Sequence, residues 1–231
     1  MWQKSIKKTI YLLNINNYDP ELTAITYPFI ERYAKKIKAG IHIINERKFP
    51  EWDMDYEKLQ IYELAQKHEN DWNIYIDSDA LVHPELPDIT DLIPFDTVAH
   101  NGSDFAPIRW RYDRFFRRDG RHISSCNWLA CASSWCIDLW KPLDDMTMAE
   151  CVENIFPIPR ETASKIVTAE HLVSDYAVSR NIAKYGLKFK SLFSLWKDLK
   201  MESTEFFHHE YTITIEEKIF NIKLAIKRWG V

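Results

Sequence analysis

The chain has 231 residues, 46% of them apolar or aromatic and 28% charged, which is enough to bury one substantial core. Its 30 basic against 34 acidic residues leave a formal net charge of −4, so the molecule as a whole does not attract nucleic acid, and nucleic acid is not an expected partner. No apolar stretch approaches the roughly 18 residues of a membrane span, and Met1-Trp2-Gln3-Lys4-Ser5 opens no secretory pattern, so a cytoplasmic chain is expected.

From the amino terminus, Lys8 to Asn16 reads as a strong first strand. Thr23 to Ala39 reads as a helix despite Pro28, with Tyr27, Ile30, Tyr33, Ala34 and Ile37 spaced along one face and Gly40 as its stop. Ile41 to Asn45 is then a second strand. Asp53-Met54-Asp55 follows Trp52 and no strand, and reads as a solvated helix start. Residues 56 to 68 carry Leu59, Ile61, Tyr62 and Ala65 at helical spacing, with Asp55 as the expected cap. Ile74 to Ile76 is a buried third strand of β-branched and aromatic residues. The amino-terminal third thus runs β-α-β-α-β, the pattern of a mostly parallel sheet with helices on its faces. No Gly-x-Gly-x-x-Gly or Gly-x-x-x-x-Gly-Lys motif is present, which argues against a dinucleotide-binding or P-loop fold.

The third strand ends in Asp77-Ser78-Asp79. At the carboxyl edge of an open α/β sheet, two carboxylates one residue apart project into the crevice where ligands bind. Hard oxygen ligands at that spacing suit a divalent cation that also grips phosphates, Mg²⁺ or Mn²⁺. A turn that merely closes the strand is the alternative.

With a helix opened by Lys58-Leu59 and leading into the strand that ends Asp77-Ser78-Asp79, the chain resembles the GT-A glycosyltransferases, notably the glycogenin-like and related groups. The resemblance implies a single α/β GT-A domain over residues 1–231, Rossmann-like, with a mixed, mostly parallel sheet flanked by helices. Residues 1–100 would form the nucleotide-sugar-binding half, 101–211 the acceptor half, and 212–231 a carboxyl-terminal amphipathic helix. It further implies that Asn14 and Tyr18, after the first strand, contact the nucleoside. Lys58 would lie near the donor diphosphate, and Asp77, Ser78 and Asp79 would form the metal-diphosphate site.

The downstream sequence is compared with the same pattern. Ile123 to Leu139 resembles the family's second core strand, with Asn127 facing the sugar and a departure at Trp128, where relatives commonly carry a small residue. Arg109 to Arg121 interleaves six arginines with aromatics; interleaving of this kind also occurs in nucleic-acid sites, but its place matches a loop on the acceptor side. Residues 168–185 read as a helix stopped by Gly186, with Glu170 as the leading candidate for a catalytic base or sugar-positioning group and Asp175 second. Phe189 to Trp196 reads as a late strand and loop. Glu205 to Tyr211 resembles the family's third metal-ligand segment, and His208 or His209 would be the ligand; His208 is favoured because Phe206 and Phe207 anchor the chain before it. Ile215, Ile219, Ile222, Ile226 and Trp229 mark a final helix that packs on the domain, with a peripheral membrane or partner contact as the lesser expectation. Cys126, Cys131, Cys136 and Cys151 lack Cys-x-x-Cys spacing and read as buried thiols rather than zinc ligands or disulfides.

The expected activity is metal-dependent transfer of a sugar from a nucleotide-diphosphate donor, a UDP-sugar by preference, to the hydroxyl of a glycan or other acceptor, with Mn²⁺ or Mg²⁺ as cofactor. Two alternatives stay open. One is a haloacid dehalogenase-type phosphatase or phosphotransferase, with Asp144-Asp145 as its later acidic pair. The other is a non-catalytic carbohydrate- or nucleic-acid-binding module.

Overall fold

A computed structural model of the chain describes residues 5–100, 128–155, 170–200, 206–209 and 214–231. Strand β1 (Lys8–Leu13) is followed by helix α1 (Pro20–Ile37), strand β2 (Gly40–Ile44), a 3-10 segment (Met54–Gln60), helix α2 (Ile61–His68) and strand β3 (Trp72–Ile76). Beyond them come β4 (Leu81–Val82), α3 (Ile89–Leu92), β5 (Thr97–His100), β6 (Leu129–Ser133) and a second 3-10 segment (Ser134–Trp140). The described elements close with α4 (Met148–Ile155), a 3-10 turn (Glu170–Leu172), α5 (Val173–Lys184), β7 (Lys188–Ser191), α6 (Leu192–Asp198), β8 (Phe207–His208) and α7 (Ile215–Trp229).

Six strands form one sheet in the order β2-β1-β3-β6-β5-β7. The β1–β2, β1–β3 and β5–β7 pairs are parallel, whereas β6 runs antiparallel to both β3 and β5. The fold is therefore α/β with a mixed, mostly parallel sheet. Period-2 alternation divides its core. Ile10, Leu12, Ile74 and Ile76 face Ile30, Tyr33 and Ile37 of α1 and Trp196 of α6. Tyr11, Tyr75, Ala130 and Ala132 face the opposite layer, with Leu59, Leu139, Trp140, Tyr176 and Val178. Every residue of β3 is buried, as expected of a central strand covered on both faces.

Several element boundaries differ from the sequence reading. Helix α1 starts at Pro20 rather than Thr23, because the Asp19 side chain accepts from Leu22 N and caps it. It ends at Lys38 in the left-handed conformation, so Gly40 opens β2 instead of stopping the helix. The single helix expected over 56–68 is a 3-10 segment capped by Asp53, followed by α2. The strand expected over 123–139 is described only as β6, which turns into a 3-10 segment at Ser134. The stretch expected as strand and loop over 189–196 becomes helical at Leu192. Cys131, Cys136 and Cys151 are buried free thiols; Cys126 lies outside the described residues.

Helix α7 closes over β4. Thr214 and Glu217 form a reciprocal capping box at its start, and Ile219, Ile222 and Ala225 pack on Leu22, Phe29 and Leu81. Ile222 is 2% exposed, so Ile222→Ala should cost about 2–4 kcal/mol through lost burial and a residual cavity. Chemical denaturation checks this; a change below about 0.5 kcal/mol, the ordinary effect of a surface substitution, would mean that α7 does not hold the contact.

Candidate active site

The turn after β3 is built so that alternate residues do opposite work. Asp77 N donates to Trp128 O at 2.7 Å and Ala80 N to Asp77 O at 3.0 Å, which fixes the backbone. Ser78 points into the scaffold: its hydroxyl donates to Leu13 O at 2.6 Å and lies 3.1 Å from Tyr27 Oη, and its carbonyl accepts from Thr26 Oγ1 at 2.5 Å. Its neighbours Asp77 and Asp79 are thereby set toward the same imidazole. His209 Nε2 lies 3.5 Å from Asp77 Oδ2 and 3.3 Å from Asp79 Oδ1. One ligand atom from each of these three residues falls within 4.8 Å of the others.

The position of His209 follows from register. Leu81 pairs with His208 and Val82 with Phe207 in the antiparallel β4–β8 ladder, so one further step sets His209 across from Ala80, beside Asp79. Side chains on a strand alternate, so the residue that shares a face with the buried anchor Phe207 is His209, two positions on. Both contact Trp128, with ring centroids at 5.1 Å for Phe207 and 5.2 Å for His209, the latter stacked at 15°. Of the two histidines expected, His209 is the one whose ring lies beside the two carboxylates, and not the favoured His208.

Two lysines lie close to the acids and to Tyr75. Lys218, from α7, pairs with Asp79 Oδ2. Lys58 is 3% exposed and its Nζ lies 4.9 Å from the Tyr75 ring centroid. It is held there because the adjacent Glu57, fully buried, accepts from Arg47 Nε at 3.1 Å, Lys48 N at 2.9 Å and Phe49 N at 3.0 Å. Burial alone would raise the Asp79 carboxyl, but the positive charges of His209 and Lys218 outweigh it and hold the group below the usual carboxylate range. Burial, then the Asp77 and Asp55 charges, raises the Tyr75 phenol well above its ordinary value. It stays protonated and donates to Asp77 Oδ1.

A second cluster lies beside the first. His171 Nδ1 is 3.7 Å from Asp53 Oδ1 and its Nε2 3.1 Å from Asp55 Oδ2. The nearby Asp53 carboxylate, with the Asp55 and Asp175 charges, raises the imidazole to about 9 against the opposing effect of burial. Burial raises the Asp55 carboxyl to about 6, aided by Asp77 and Asp53 and opposed by Lys58 and His171. At neutral pH an imidazolium thus bridges two carboxylates. Asp53-Met54-Asp55 is consequently not the merely solvated helix start that its sequence suggests. The available signal was two acids just ahead of the buried Lys58; nothing local pointed to His171.

The remaining expected residues are dispersed. Asn14 is partly buried just after β1, where its N–H donates to Ile44 O at 2.8 Å. Tyr18 is partly buried, and its phenol is raised by burial and then by the Asp79, Asp77, Asp55 and Asp19 charges. Glu170 is exposed on the 3-10 turn, whereas Asp175 is 8% exposed within α5. Asn127 and the arginine-rich segment 109–121 lie outside the described residues. Asp145, which the phosphatase alternative would use, is instead gripped by Arg180 Nη1 at 2.9 Å and Nη2 at 2.5 Å.

No protein-family model matches the chain, and no curated protein matches it in sequence. Solved structures do match in fold. A glycosyltransferase involved in glycosylation of the major capsid of the virus PBCV-1 superposes with a TM-score of 0.56 at 10% identity, covering 94% of this chain and 99% of that one. A mutant Drosophila β-1,4-galactosyltransferase 7, in complex with manganese, UDP-Gal and xylobiose, gives a TM-score of 0.50 at 12% identity over 89% of this chain and 71% of that one. The chain has the GT-A glycosyltransferase fold.

The His171 pairing makes stability depend on pH. Its folded value, about 9, lies above the ordinary 6.5, so the contribution is complete below about 6.5 and disappears as pH rises through about 9. The side chain is 47% exposed, and solvent screening reduces the contribution to about 1 kcal/mol or less. Denaturant unfolding at pH 6.5 and pH 9.5 should show this loss in the wild type but not in His171→Ala; equal losses in both proteins would remove the pair from the account.

Proposed function

We propose that the chain is a metal-dependent glycosyltransferase that moves a sugar from a nucleotide-diphosphate donor to a hydroxyl acceptor. The observation that carries this reading is the convergence of Asp77, Asp79 and His209 at the carboxyl edge of β3, where an open α/β sheet binds its ligand, in a chain with the fold of known glycosyltransferases.

The donor set fits a divalent cation. Two carboxylates and one imidazole, mutually within coordination reach, suit Mn²⁺, and Mg²⁺ less well because it prefers oxygen. Asp77, Asp79 and His209 would hold the ion. The chemistry it supplies is neutralisation of the diphosphate as the bond to the sugar breaks. The rest belongs to the chain's own side chains. Tyr75 donates to Asp77 and orients it. Lys218 sets its ammonium group beside Asp79 and Lys58 carries its own over Tyr75, and both would bind the donor's phosphate oxygens. Ser78 holds the turn against β1 and α1 rather than touching the donor. Tyr18 offers a ring at the cleft for the nucleoside. The galactosyltransferase neighbour carries UDP-Gal and xylobiose, which supports a UDP-sugar donor and a glycan acceptor here.

The test is turnover of a UDP-sugar panel with and without Mn²⁺. Asp79→Asn should lower kcat at least a hundredfold with the fold retained; full activity would refute the metal role. His209→Ala should raise the Mn²⁺ concentration for half-maximal activity about tenfold or more, while His208→Ala should leave it nearly unchanged; the reverse order would return the ligand role to His208. Because an imidazole must lose its proton to bind a metal, apparent Mn²⁺ affinity should fall as pH is lowered. Lys58→Ala should weaken UDP binding with little loss of stability, and an unchanged UDP dissociation constant would remove the lysine from the donor site.

A further inference from the structure

Trp128 stands where the six-stranded sheet meets the two-stranded β4–β8 ladder. Ile76 pairs with Leu129 in the antiparallel β3–β6 ladder, and one step further on Trp128 O accepts from Asp77 N at 2.7 Å. The backbone of Trp128 thus extends the larger sheet. Its indole packs on the smaller one: the ring centroid lies 5.1 Å from that of Phe207, edge to face at 69°, and 5.2 Å from that of His209, stacked at 15°. Phe207 in turn lies 5.9 Å from Trp196 of α6, itself buried in the core. Trp196, Phe207, Trp128 and His209 therefore form an aromatic column that begins in the core and ends at the imidazole.

The column meets a need of assembly. Asp77 and Asp79 follow the end of β3, whereas His209 follows β8, whose ladder with β4 has two residue pairs and is too short to be stable by itself. The outer side-chain torsion of histidine is broad, so that ladder alone leaves the ring plane unset. A near-parallel stack on an indole sets it. The ring edge is then directed at the carboxylates, with Nε2 3.5 Å from Asp77 Oδ2 and 3.3 Å from Asp79 Oδ1. The side chain of His209 is 7% exposed, so protein atoms rather than solvent fix its orientation.

We propose that Trp128 is a positioning residue of the metal site, which sets the plane of the His209 imidazole through its indole and the backbone of Asp77 through its carbonyl. The inference rests on the reading of Asp77, Asp79 and His209 as metal ligands. It deepens that reading by naming what holds a ligand from the smaller sheet against the two at the edge of the larger one. Groups that orient a metal ligand without touching the ion are worth about ten- to a hundredfold in metal affinity. The carbonyl survives any substitution of the side chain, so the share of the indole can be measured alone. That share acts through His209 and cannot exceed what His209 itself contributes.

The test is a double-mutant cycle on Mn²⁺ affinity, read from the electron paramagnetic resonance signal of free Mn²⁺ with the full chain and UDP present and no turnover required. W128A should raise the Mn²⁺ dissociation constant about tenfold in the otherwise wild-type chain and by less than about twofold in H209A. W128F keeps a flat ring and should stay within about threefold of the wild type. W128L keeps apolar bulk without the ring and should behave as W128A does. Co²⁺ gives a second readout, because its visible absorption reports the ligands around it: the W128A spectrum should move toward that of H209A. Equal losses of affinity with and without His209 would overturn the inference, since Trp128 would then support the cleft generally rather than the imidazole. Wild-type affinity in W128A, or W128L that binds Mn²⁺ as tightly as W128F, would overturn it too. If W128A does not fold, W128L carries the cycle with the same expected and opposing results. Unchanged affinity in H209A, or a wild-type chain that binds no Mn²⁺, would instead refute the metal-site reading, and this inference with it.

Discussion

The buried carboxylate of Asp79 is the constraint on which the architecture of this site depends. A carboxylate with a tenth of its surface exposed is strongly destabilising unless positive charge and hydrogen-bond donors reach it. Its partners come from the far end of the sequence: His209 follows β8, and Lys218 lies in α7. The acid therefore couples the turn after β3 to the carboxyl-terminal segment, 139 residues away in the case of Lys218. The two-stranded β4–β8 ladder and the apolar contact of α7 with α1 and β4 make that coupling rigid. Without the apolar seat, Lys218 and His209 would have to be held in place by electrostatics alone.

The same charge balance extends along the cleft. Asp55, Asp77 and Asp79 would repel one another if left bare. Lys58, His171, His209 and Lys218 are distributed among them, so each acid has a cationic neighbour. The cations reach the cleft from four different segments: the 3-10 segment after β2, the turn before α5, the chain after β8, and α7. A site assembled this way is bound to the complete fold, because removing any one segment strands a charge.

Much of this was legible in the sequence, and the reasons are physical. β1 and β3 are continuous apolar runs, as central parallel strands must be, and the Asp-Ser-Asp at the abrupt end of β3 marked the cleft. Lys58 stands out through a family pattern, although its local surroundings read as an ordinary helix lysine; that it is buried is a tertiary fact, and the adjacent Glu57 is tied to residues 47–49. The choice between His208 and His209 depends on which face of β8 meets Trp128, a tertiary fact. Reasoning from the anchor Phe207 chose the neighbour, whereas strand parity selects the residue two positions on. His171 carries no local signal: the family pattern points to Glu170 at the start of a helix, where the chain makes a 3-10 turn. Asp55 reads in sequence as the helix cap, a role that Asp53 fills.

The central claim is that Asp77, Asp79 and His209 form one divalent-metal site that presents a nucleotide diphosphate. A crystal structure of the protein soaked with Mn²⁺ and UDP, with anomalous data collected at the manganese edge, tests it most directly. The account predicts one anomalous peak within coordination distance of both carboxylates and His209 Nε2, with the UDP diphosphate bound to it and a lysine ammonium alongside. Manganese absent from those three residues, or UDP bound away from the carboxyl edge of β3, would contradict it.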